Sequence, residues 1–170
     1  MNISQRRPRV LAIAPSSYGI GFAVFESPTR LIDHGIRFGK RDKNKTCIAR
    51  VEELIATHDP DILVTEDYAG EGSRRGRRVR SLLRMIARRG EQEGLWSYSY
   101  SREQMRDWFA RHDAQTKHEI AHAIVKQFPK LSLELPAKRR PWTSESPNMA
   151  VFDAVALVMT HYGLNERMGW

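Results

Sequence analysis

Two acidic residues sit in stretches where a charge is costly to hold. Glu66 closes the apolar run DILVTE (61–66), and Asp153 lies within NMAVFDAVALVMTHYG (148–163). Mapped at about 100° per residue, the second stretch is a helix apolar nearly all round. A carboxylate there must meet a cation, a hydrogen-bond donor or a proton, because burying it bare costs several kcal/mol. The Glu66 strand is apolar enough to be central, and its carboxyl end would open onto the crevice where α/β sheets bind ligands. Asp67 then points to the opposite face, since strand side chains alternate. Two acids converging from a strand end and a helix make a hard, oxygen-rich site, better suited to magnesium or manganese than to zinc. The plainer alternatives are a structural pair with an arginine for Asp153, and a first loop residue for Glu66.

A basic run follows the Glu66 strand. SRRGRRVRSLLRMIARR (73–89) carries eight arginines and no acid. Arg74, Arg75, Arg77 and Arg78 precede or open a helix whose apolar face begins at Val79. Solvated helix faces usually mix signs, so a stretch this one-sided points to phosphate backbone, which arginine binds in bidentate fashion. The segment PAKRRPW (136–142) offers a weaker second basic contact, with Trp142 available for base stacking. A third pattern, HEIAH (118–122), matches the H-E-x-x-H helix of zinc proteases. Glu119, however, already forms a T-x-x-E capping box with Thr116, and no third ligand follows in a helical setting.

These groups need a frame. RVLAIA (9–14), GFAVFE (21–26) and LIDHGIRFG (31–39) are joined by short turns and predict an antiparallel meander. The spacing of Ile48, Val51 and Ile55 predicts a helix over 44–59, and DILVTED (61–67) is a buried strand. A second helix spans 73–94, LWSYSYS (95–101) alternates as a strand, and short and longer helices cover 102–109 and 116–128. Residues 129–145, rich in proline and charge, read as a loop. The last helix runs over 146–163, with Ser146 as N-cap, Pro147 in the first turn and Gly163 closing it. The order implies one α/β domain over 1–170, a mixed sheet with helices packed on it, and a flexible start over 1–8.

Composition agrees with the basic run. The 170 residues hold 28 Lys+Arg against 20 Asp+Glu, a net charge of +8, which favours nucleic acid as partner. The single Cys47 excludes an internal disulfide and fits a reducing, cytoplasmic compartment. No unbroken apolar run approaches the ~18 residues of a membrane span. MNISQRRPR is basic, but the apolar run behind it breaks at Pro15-Ser16-Ser17, a poor signal peptide.

Taken together these motifs resemble the RuvC-like Holliday junction resolvases of the ribonuclease H-like superfamily. LAIAPSSYGIGFAVFE resembles the opening hairpin of that family, DILVTE the strand bearing its second acid, and VFDAVALVMTHYG its final helix. TKHEIAHAIV falls where the family has a lysine-bearing helix, which makes Lys117 the match for contact with the scissile phosphate. The resemblance implies a five-stranded mixed sheet, three antiparallel strands followed by parallel ones, flanked by helices. It implies Mg2+ or Mn2+ in a two-metal site with ions about 3.5–4 Å apart, Glu66 and Asp153 as ligands, and branched or structured DNA as substrate. Resolvases work as dimers on two-fold junctions, so a homodimer is also implied.

Two positions depart from the pattern. Ala14 stands where the family's first aspartate bridges both metals, and Ala150 stands where the resolvases proper have a further acid. With a helix starting near Ser146, Glu145 would lie about 10 Å from Asp153 along the axis, a poor substitute. The resemblance therefore implies a chain that cleaves very poorly as written. Either catalysis was lost and binding kept, or an aspartate was exchanged for alanine to trap an inactive form. The alternative from another class is a non-catalytic nucleic-acid-binding protein on the same fold.

Overall fold

The computed structural model of the protein describes residues 6–69 and 75–165. Five strands form one mixed sheet in the order β3-β2-β1-β4-β5. They are β1 (Val10–Pro15), β2 (Gly19–Ser27), β3 (Arg30–Phe38), β4 (Ile62–Glu66) and β5 (Trp96–Tyr100). The first three form the antiparallel meander, and β4 and β5 then add in parallel beside β1. This is the five-stranded mixed sheet implied by the sequence motifs.

Alternation sorts the strand side chains between two cores. Val10, Ala12 and Ala14 of β1, with Ile62 and Val64 of β4, face α5 (Met149–Leu164). Leu11, Ile13 and Leu63 face the other way, toward α1 (Lys43–His58) and α2 (Arg77–Gln92). α3 (Arg102–Ala110) and α4 (Lys117–Gln127) pack on α5. Burial on every side explains why α5 is apolar all round: it lies between the sheet and two further helices.

Several boundaries differ from the sequence reading. α2 starts at Arg77 and ends at Gln92, short of 94; residues 70–74, and Arg74 with them, lie outside the described residues. The segment 129–145 is not all loop. Pro129–Glu134 forms a 3-10 helix because Leu131 is drawn into the α5 core while Pro129 pre-sets the first turn. α5 begins at Met149, three residues beyond Ser146. Residues 146–151 tighten through successive i→i+3 bonds, with Met149, Ala150 and Val151 N–H donating to Ser146, Pro147 and Asn148 carbonyls. Gly163 does not close the helix, which continues to Leu164. Its role is steric, since a Cβ there would fall 1.8 Å from Trp108 Nε1. Residues 1–5 of the start expected to be loose lie outside the described residues. Arg6 is tied down, its Nη2 donating to the Asp59 carbonyl at 2.9 Å. No helix of the described residues is long and apolar enough to cross a membrane.

Gly21 sets how closely α5 meets the hairpin. It pairs with Ala14 across the β1–β2 ladder. A Cβ at Gly21 would come within 2.2 Å of the Ala150 carbonyl oxygen, so the first turn of α5 rests on bare backbone. Backbone cannot rotate aside as a side chain can, so Gly21→Ala is expected to lower stability by about 1–3 kcal/mol. The urea midpoint reads the change, and an unaltered midpoint would show that α5 does not sit this close.

Candidate functional site

The carboxyl ends of β1 and β4 build the site. Val64 pairs with Ala12, so Glu66 and Ala14 each stand two residues further along neighbouring parallel strands, on the face covered by α5. α5 brings Asp153 to the same place and α4 brings Lys117 at its first position. Ala14, Glu66, Lys117 and Asp153 line one cavity of about 400 Å³, with Arg75 and Arg102 on its wall. Met149, Phe152, Ala156 and Leu157 of α5 give the cavity an apolar side. Asp67 turns away, as alternation requires, and lines a separate cleft with Arg84 and Arg88 of α2.

Glu66 is only 5% exposed, and both its oxygens are engaged. Arg75 Nε donates to Oε2 at 2.6 Å, and Arg102 Nε donates to Oε1 at 3.1 Å. Arg75 comes from the segment leading into α2. Arg102 is the first residue of α3, whose start is fixed by a capping box between Ser101 and Gln104. Tyr100, two residues before it, pairs with Glu66 across the β4–β5 ladder. Sequence reasoning missed Arg102. The signal was present in the S-x-x-Q cap immediately after β5, but using it requires knowing that β5 is the neighbour of β4.

Asp153 takes the ammonium of Lys117 at 3.5 Å, and the same Nζ donates to Glu145 Oε1 at 2.9 Å. Lys117 thus bridges the two acids. This corrects the expectation that Glu145 lies far from Asp153. Residue 145 lies outside α5, ahead of the i→i+3 turn that opens at Ser146, and the long Lys117 side chain spans the gap between the two carboxylates. Arg139 Nη1 approaches the second oxygen of Glu145 at 3.8 Å. Burial pushes the Asp153 carboxyl above its ordinary range. Lys117 works against that shift and the Glu145 charge adds to it.

The arginine run does not act as one surface. Arg78 turns inward, where Nη1 donates to Asn44 Oδ1 and Nη2 to the Ser16 carbonyl, tying α2 to α1 and the first hairpin. With Arg75 engaged by Glu66, the outward-facing members are Arg77, Arg80, Arg84 and Arg88. In the HEIAH segment, His118 and His122 meet at 3.0 Å between Nε2 atoms. The carboxyl of Glu119 accepts the Gln115 and Thr116 N–H groups, which hold it below the usual carboxylate range. That is the capping box read from the sequence.

The residues present do not fit a pair of divalent ions. Both oxygens of Glu66 are taken by guanidinium groups, Asp153 faces an ammonium, and Ala14 contributes a buried methyl. Among the described residues, no three His, Cys, Asp or Glu side chains are gathered so as to hold a metal. The positive charge that a metal would bring to these acids is supplied by Arg75, Arg102 and Lys117.

The architecture is that of solved RuvC structures, a likeness of fold. Two solved structures carry the likeness. Thermus thermophilus RuvC superposes with a TM-score of 0.66 at 21% identity. T. thermophilus RuvC in complex with a Holliday junction substrate gives 0.65 at 20% identity, covering 95% of this chain and 96% of that one. No family model matches the sequence, and no curated protein matches it by sequence.

The raised pKa of Asp153 has a consequence for stability. Its folded form holds a proton more tightly than the unfolded chain, whose aspartates titrate near pH 4, so stability falls as pH rises from about 4 through the folded pKa. Asp153→Asn removes that charge. The variant is expected to melt higher than the parent at pH 7, with the gain shrinking toward pH 4. A lower melting point at pH 7 would mean that the Lys117 pair outweighs burial.

Proposed function

We propose that this chain binds branched or structured DNA at the carboxyl end of its sheet, as a RuvC-like endonuclease domain whose metal-assisted phosphodiester hydrolysis is impaired or absent with Ala14 in place. The observation that carries the reading is the double guanidinium closure of Glu66 directly beside Ala14. A site organised for hydrolysis needs carboxylate oxygens open to ions; here they serve ion pairs. The net charge of +8 and the outward Arg77, Arg80, Arg84 and Arg88 support a polyanionic partner. The RuvC structure solved with a Holliday junction supports branched DNA as that partner. A homodimer would match the two-fold symmetry of such a junction, and a buried, reduced Cys47 suits the cytoplasm.

The test is a gel-shift and nicking series on four-way junction, flap, single-stranded and duplex DNA, with and without Mg2+ or Mn2+. The junction is expected to shift equally with and without divalent ion and to stay intact. Efficient ion-dependent nicking by the chain as it stands would overturn the impaired site, and failure to shift any DNA would overturn the binding. If an aspartate was exchanged for alanine at this position, Ala14→Asp is expected to raise nicking by orders of magnitude; no gain would remove the nuclease reading and leave the binding one.

Glu66→Gln separates the two further. It removes a negative charge and loosens two guanidinium groups, so a binder should hold DNA as tightly or more tightly. In the Ala14→Asp background the same change should abolish the recovered nicking. Retained nicking would take Glu66 out of the reaction.

A further inference from the structure

We infer that the turn bearing Trp142 is a stacking platform for an unpaired nucleotide of the DNA, an inference that rests on the DNA-binding reading above and names the feature of the substrate it selects. Trp142 is 77% exposed, an unusual position for so large an apolar ring. Its place is fixed by the chain. Pro141 and Trp142 are the central residues of a turn closed by three hydrogen bonds: Thr143 N–H to the Arg140 carbonyl at 3.0 Å, Thr143 Oγ1 to the same carbonyl at 2.9 Å, and Arg140 N–H to Thr143 Oγ1 at 3.1 Å. The guanidinium of Arg140 stands 5.7 Å from the centre of the indole ring. A ring held outward on a braced turn, with a cation over it, is suited to stacking against a base.

The surroundings suit a strand rather than a protein helix or an apolar ligand. Lys138, Arg139 and Arg140 are exposed on the same loop. The loop's one acid, Glu145, is neutralised by Lys117 and Arg139. The indole borders a cavity of about 510 Å³ whose lining includes Lys117, Lys138, Arg139 and Met149. Lys117 and Met149 also line the Glu66–Asp153 cavity, so the two spaces adjoin through Lys117. A strand whose base stacks on Trp142 would carry its neighbouring phosphates past cations that lead to that site. Duplex bases, already stacked, cannot use the ring without opening, so the platform favours strands with unpaired bases.

The test is fluorescence anisotropy of labelled DNA of about 12 nucleotides, single-stranded and as blunt duplex, with a four-way junction as third probe. Trp142→Ala is expected to weaken single-strand binding about tenfold and to leave blunt-duplex binding within about twofold; Trp142→Phe should recover most of the loss. An unchanged melting temperature checks that the exposed turn has not disturbed the fold. Equal weakening of single strand and duplex, or no weakening of the single strand, would overturn the platform. In that case continued binding of the junction would leave the proposed function standing. If the parent chain binds none of the three probes, both fall. An oligoribonucleotide of the same sequence bound more tightly than the DNA would overturn the assignment to DNA.

Discussion

Glu66 ends a central strand under a helix that is apolar on every side, and its charge must be matched where water cannot do it. Two guanidinium groups answer that need, and their origin shapes the pocket. Arg75 draws the start of α2 toward the sheet, while Arg102 pins the junction of β5 and α3. Lys117 does the same for α4 by lying between Asp153 and Glu145. Elements that are distant in sequence are thus gathered around two neighbouring carboxylates, Glu66 and Asp153. Removing the Glu66 carboxylate would leave cations without a partner, which costs more than the pair contributes.

The frame behind the pocket is steric rather than electrostatic. α5 can bring Asp153 to the end of β1 only because Gly21 offers no side chain beneath Ala150. Gly163 does similar work at the far end of the helix, where Trp108 of α3 occupies the space of its missing Cβ. Ala14 and Ala150 are small as well, and both lie where the first turn of α5 meets the hairpin. A longer residue at 150 would have to find room in a contact already reduced to backbone, whereas Ala14 opens onto the cavity.

Much of this was legible in the sequence, for reasons particular residues make plain. The strand alternation that sends Glu66 and Asp67 to opposite faces follows from period two. The start of α4 follows from Thr116 and Glu119, whose capping box is purely local. What resisted reading was non-local. Arg102 is anonymous until β5 is known to lie beside β4, and Arg75 and Arg78 look like members of a phosphate-binding face until their partners within the protein are seen. Glu145 was misplaced because distance was reckoned along an ideal helix that does not yet exist at residue 145. Gly163 carried the signature of a helix stop, yet its reason lies in a tryptophan more than fifty residues earlier.

The pairing of charges also decides what the pocket can contribute to binding. Inside it, Glu66 and Asp153 face Arg75, Arg102 and Lys117, and at its edge Glu145 takes Lys117 and Arg139, so most of the local charge cancels. A phosphate approaching the pocket feels little net attraction until those pairs open. The outward arginines of α2, and Lys138 and Arg140 of the loop, have no such cancellation built around them, and their field reaches about a Debye length, ~8 Å at physiological salt. Affinity for the proposed polyanion would therefore come from the periphery, while the pocket offers shape: an apolar wall from α5 and ion pairs that must rearrange before a phosphate can enter. Arginine is a permanent cation on a tethered stem, whereas a bound divalent ion exchanges with solvent. A site closed in this way holds its acids in ion pairs at the carboxyl end of the sheet.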